Sequence, residues 1–134
     1  MIDLPSERAK ARIELLLATA ESRTLDFKRL GKGKNARMQE AVCAFANTDG
    51  GIIAIGIGDA KDLKPGAPPS ARLFGIEENP EAFDDLQREI AKCFEPAMGG
   101  LHWVRLPCTL HNGQPGHVVM LRVEKSDKVH SIVG

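Results

Sequence analysis

Apolar and polar positions change their period several times along this chain, and each change marks an element. Ile13, Leu16, Leu17 and Ala20 recur at helical spacing behind Asp3, Pro5 and Glu7, which predicts a first helix over about residues 5–19. "TLDFKR" (24–29) alternates instead: Leu25 and Phe27 point one way, Asp26 and Lys28 the other, as on a half-buried strand. Beyond the turn "GKGKN", Asn35 is placed to cap a second helix with Met38, Val42 and Phe45 in one apolar stripe. "NTDGG" stops that helix, and "IIAIGIG" (52–58) reads as a strand buried on both faces. The proline-rich "DAKDLKPGAPPS" is a loop, and "RLFGI" a short strand. Pro80 opens a third helix carrying Phe83, Leu86, Ile90 and Cys93 or Phe94. "LHWVRLPCTLHN" and "HVVMLRVEK" flank "NGQPG" as a hairpin, and "VHSIVG" starts one more extended piece.

This order predicts an α+β fold in which a mixed sheet packs with about three helices. With 134 residues the chain suits a single domain, 1–134, with the first helix as a lead-in. The extended last residues, with no turn or cap, predict a chain cut from a longer protein. Five Phe, one Trp and no Tyr leave the core to aliphatic side chains. They also argue against a binding mode dominated by aromatic stacking on single strands. Lys+Arg and Asp+Glu both number 18, so any affinity for nucleic acid must rest on a local patch rather than on total charge. Three widely spaced cysteines, Cys43, Cys93 and Cys108, speak against a disulfide framework. Together with the lack of a signal-like or bilayer-length apolar run, they predict a cytoplasmic location and no membrane partner.

Two stretches carry candidate chemistry. Asp26 and Lys28 stand two apart on the predicted strand and so share a face, an acid-x-lysine arrangement that metal-dependent nucleases use. Glu21 precedes them at the turn into the strand, and Asp59 follows the buried strand. If the two strands are neighbours, these acids converge as ligands for Mg²⁺ or Mn²⁺. Alternating polar residues on an exposed strand face also fit plain solvation. The second stretch is Lys28, Arg29, Lys32, Lys34 and Arg37, a basic run with no acid in it, suited to phosphate contacts or to a solvated loop. Cys108, His111 and His117 lack a fourth zinc ligand at a suitable spacing.

At "ESRTLDFKR" and "AVCAFANTDGGIIAIGIGD" the chain resembles the Schlafen AlbA-type family of nucleic-acid-binding domains, found in bacterial regulators and in Schlafen proteins. The matching residues are Glu21, Asp26-Phe27-Lys28, the block Ala44 to Gly51, and Gly56-Ile57-Gly58-Asp59. The resemblance covers about residues 18–134. It implies an α+β fold and a DNA- or RNA-binding role in a transcription-regulator type of protein. It also implies a catalytic site at Glu21, Asp26, Lys28 and Asp59, with the three acids holding the metal of a ribonuclease. Asp26 stands where the family commonly has Glu, which shortens the reach by one methylene. Three functions therefore compete: nucleic-acid binding through the basic loop, metal-dependent RNA cleavage, and a partner-docking or homodimerising module.

Overall fold

A computed structural model describes residues 1–31, 35–90, 92, 94–96 and 99–132. Lys32, Lys34 and Cys93, and the capping side chain expected at Asn35, lie outside the described residues. Among the described residues, seven strands and three α-helices follow one another as β1 (Ile2–Asp3), α1 (Ser6–Ala18), β2 (Leu25–Lys28), α2 (Asn35–Ala46), β3 (Gly51–Ile55), α3 (Pro80–Glu89), β4 (Phe94–Glu95), β5 (Leu101–Thr109), β6 (Pro115–Val123) and β7 (Ser131–Ile132). Three short 3₁₀ turns connect β3 to α3. The arrangement is α+β, as the order of elements predicts.

Five strands form one mixed sheet in the order β1-β5-β6-β3-β2. The β5–β6 hairpin supplies its centre, β3 runs antiparallel to β6, and β2 runs parallel to β3. The parallel pair needs a crossover, and α2 provides it. β4 and β7 make a separate two-stranded ribbon.

Alternation along the central strands divides the core in two. Ile53 and Ile55 on β3, with Val119, Leu121 and Val123 on β6, face Met38, Val42 and Phe45 of α2 and Phe83, Leu86 and Ile90 near α3. On the opposite face, Leu25, Phe27, Ala54, Val118 and Met120 pack with Ala9, Ile13 and Leu16 of α1. A strand clothed on both sides must be apolar throughout, which is why β3 shows no alternation in sequence.

Four sequence-based expectations are corrected. Asp3 is not part of a helix start: it lies in β1, paired in parallel with β5, where Arg105 holds it at 2.6 Å. The buried strand ends at Ile55 rather than at residue 58, because Gly56 turns the chain at φ 96°. "RLFGI" is no strand: a 3₁₀ turn, Pro69–Arg72, leads to a single bridge between Leu73 and Ile57, and a second turn follows at Ile76–Glu78. α3 closes at Glu89, and Phe94 belongs to β4, although it still reaches the same core. The start of α3 is as read, with Asn79 Oδ1 accepting from the Ala82 N–H.

"NTDGG" is explained by backbone geometry. The Gly50 N–H closes α2 on the Phe45 carbonyl at 2.8 Å, and Gly50 sits at φ 76°. Asn47 accepts from the His130 N–H at 2.8 Å and donates to the His130 carbonyl at 2.9 Å, tying the chain beyond β6 to the end of α2.

A Cβ at Gly50 would lie 2.7 Å from the Val123 carbonyl oxygen, whereas at Gly66, with φ 82°, it would meet nothing. Both Gly→Ala changes strain a left-handed position, at about 1–3 kcal/mol. Denaturant unfolding should find Gly50→Ala clearly more destabilising than Gly66→Ala. Equal losses would mean that the backbone approach at Gly50 is not tight.

Candidate nucleic-acid interface

The acidic residues are brought together by two local devices. The first is a tight turn at the start of β2. Ser22 and Leu25 form an antiparallel bridge, each N–H donating to the other's carbonyl, at 3.0 and 3.3 Å. The residues just outside that bridge must then face each other, so Glu21 lies across from Asp26 and their carboxyl groups interact. Two places further along β2, Lys28 Nζ sits 3.1 Å from Asp26 Oδ2.

The second device is Arg72, which is 4% exposed. Its Nε donates to the Gly58 carbonyl at 2.8 Å, and the Gly58 N–H donates back to the Arg72 carbonyl at 2.8 Å. Its Nη1 donates to the Leu17 carbonyl in the last turn of α1 at 3.3 Å, where a cation suits the helix end. Its guanidinium lies over the Phe27 ring, 4.6 Å from the centroid. The segment leading to Glu21, the strand carrying Asp26 and the segment leading to Asp59 are thus tied to one side chain. Burial presses the Arg72 guanidinium below its ordinary pKa, while the charges of Asp59 and Glu21 hold it up.

Crowded carboxylates alter their own protonation. The Glu21 carboxyl is pushed up to about 7. Loss of solvation comes first among the causes, then the hydrogen bond to Asp26 and the charges of Asp26 and Asp59, with Lys28 opposing. Asp59 is also engaged locally: its Oδ1 accepts from the Lys61 N–H at 2.9 Å and so caps a 3₁₀ turn. Among the described residues, no three acids, histidines or cysteines are grouped as a metal-ligating set. As placed, Asp26 Oδ2 pairs with Lys28 and Asp59 Oδ1 caps the 3₁₀ turn, which leaves each aspartate its other oxygen.

The described part of the basic run is largely engaged. Lys28 pairs with Asp26, and Arg29 pairs with Glu78 through Nε at 3.3 Å and through Nη2. The Arg29 guanidinium also lies 3.5 Å from the centroid of Phe74. Arg37 is exposed on α2. Cys108, His111 and His117 do not gather: His117 pairs with Glu77 at 2.9 Å, and His111 packs on Phe74.

Arg72, Phe74 and Glu78 complete this neighbourhood with His111, and none of those three was legible as a site residue. Arg72 and Phe74 sit in a stretch whose apolar character suggests a strand, and Glu78 gains its role only through a partner 49 residues away.

The Schlafen, AlbA_2 family matches residues 21–133. The chain belongs to that family. The match begins at Glu21 and runs through β7, so it covers both the turn that opposes Glu21 to Asp26 and the segment that delivers Asp59. Membership makes this Schlafen AlbA_2 domain a nucleic-acid-related one. No curated protein matches the chain. No described helix of the domain is long and apolar enough to cross a membrane.

The raised Glu21 pKa carries a sign. Between its ordinary value of 4.5 and about 7, folded protein holds a proton that unfolded protein has released. That contribution to stability is fully present below pH 4.5 and is lost as pH rises through 7. Glu21→Gln should flatten the pH–stability profile over this window and make the domain relatively more stable at pH 7. Parallel profiles for the two proteins would contradict the crowding described.

Proposed function

We propose that this domain binds nucleic acid by its phosphate backbone along the exposed edge of the sheet at β2. Lys28 lies there beside the acidic cluster, and Arg29, Lys32, Lys34 and Arg37 follow it in the sequence. The observation that carries the reading is the Asp26–Lys28 pair on the solvent edge of a family-matched strand, with Glu21 opposed to it. Lysine on an edge strand supplies a point charge to a phosphate, and the neighbouring carboxylates repel strands that approach out of register. The family likeness to DNA-binding regulator domains supports the same reading.

A second reading is metal-dependent RNA cleavage of the Schlafen type, with Glu21, Asp26 and Asp59 as metal ligands and Lys28 steadying the phosphate. It is favoured by one arrangement, Glu21 facing Asp26 across the turn with Asp59 near enough for its charge to act on Glu21. Lys28 and the 3₁₀ turn each compete with a cation for one oxygen of Asp26 and Asp59, and for that reason binding is ranked first.

Titration of short duplex DNA, single-stranded RNA and tRNA at several salt concentrations tests binding. Affinity should fall steeply with salt, and Lys28→Ala should reduce the slope of log K against log[salt] by about 1. No binding at low salt would overturn the proposal. For the second reading, RNA incubated with Mn²⁺ should be cleaved, and both chelator and Asp26→Asn should stop it. Intact RNA after prolonged incubation would remove that reading and leave the first in place.

A further inference from the structure

A cavity of about 420 Å³ opens beside the acidic cluster, between the segment that follows β3 and the 3₁₀ turns. Asp59 and Arg72 line it, so it is continuous with the cluster; Arg29, Leu63, Phe74 and His111 form much of the rest. Its size falls within the range of small-molecule sites, about 300–1,000 Å³.

Its wall has an unusual construction. Arg29 is held in the plane of its fork by Glu78, which takes both Nε and Nη2 and balances the charge. One face of that plane is backed by the Phe74 ring at 3.5 Å. Phe74 is held in turn by the tilted His111 ring, 4.6 Å away, whose Nδ1–H donates to the Leu73 carbonyl at 3.1 Å. Gly58 makes the room: a Cβ there would lie 2.8 Å from the Phe74 ring and 3.5 Å from Arg29 Cδ. A guanidinium held through Nε and Nη2 and backed on one face offers the other face as a flat platform. Bases stack on such planes as they do on aromatic rings.

We propose that this cavity is a nucleobase subsite, taking one unpaired base of a single strand whose phosphate lies toward Lys64 on the same wall. The base stacks on the Arg29 plane. Arg29 is then a stacking residue rather than a phosphate contact. Because a duplex keeps its bases stacked and paired, the subsite selects unpaired strands. This inference rests on the nucleic-acid reading given above.

The test compares four probes on the full chain at one low salt concentration: a short single-stranded RNA, the same strand with every base removed, the corresponding duplex, and a nucleoside monophosphate. The intact strand should bind about 5- to 150-fold more tightly than the abasic strand, which is the worth of one stacked base. It should also exceed the duplex and the monophosphate. Arg29→Lys keeps the charge and loses the plane; it should bring intact and abasic strands close to parity while leaving the salt slope unchanged. His111→Ala, at an exposed position, should weaken the preference without unfolding the domain. Equal affinity for intact and abasic strands in the wild type would overturn the subsite and leave phosphate binding standing. So would an Arg29→Lys protein that keeps the full preference, or tighter binding of the monophosphate than of the strand. Failure of every probe to bind would overturn the nucleic-acid reading itself.

Discussion

The buried guanidinium of Arg72 is the constraint on which the rest of this surface depends. A charge withdrawn from water is costly unless its hydrogen bonds are replaced, and here two carbonyls and an aromatic face replace most of them. The two carbonyls come from Leu17 and Gly58, on chain segments that the apolar core on this face already brings close. Satisfying one side chain fixes the end of α1, the face of β2 and the residues after β3 relative to one another. The acidic residues follow as neighbours of those anchors: Glu21 after Leu17, Asp26 before Phe27, and Asp59 after Gly58. The same charge offsets part of the repulsion among them.

Two features of the backbone finish the job. The Ser22–Leu25 bridge folds Glu21 back against Asp26, so their five-residue separation in sequence becomes a facing pair. Gly56, at positive φ, ends β3 sharply and swings Gly58 and Asp59 out of the sheet. A Cβ at Gly56 would lie 2.9 Å from Gly75, so the turn is also a close crossing of two chain segments. The sheet is clothed on both faces, and the acidic cluster and Lys28 collect at its β2 edge. Binding groups commonly lie where a packed scaffold ends and loops begin.

Much of this was legible in the chain. Alternation at 24–29, the glycine stop after Asn47 and the apolar run at 52–58 identified β2, the end of α2 and the position of β3, because each is a local pattern with a local cause. The match of the Schlafen AlbA_2 family to residues 21–133 rests on the same stretches. Glu21, Asp26 and Lys28 were readable because a short turn and a two-residue strand period set their geometry. Arg72, Phe74 and Glu78 were not. Their roles arise from pairings across the fold, and 3₁₀ turns leave no hydrophobic period to detect. The two-residue strand β1 was missed for a similar reason, since its only support is a distant partner in β5.

The arrangement makes one physical claim above the others: that Glu21 is held against Asp26 and near Asp59 tightly enough to retain a proton close to neutral pH. Carbon-13 NMR titration of the Glu21 side-chain carboxyl measures this directly. The account predicts a midpoint at about 7, falling toward the ordinary 4.5 when Asp26→Asn removes the opposing charge. A wild-type midpoint at the ordinary value would show that the carboxylates stand apart, and the candidate interface would lose its organising feature.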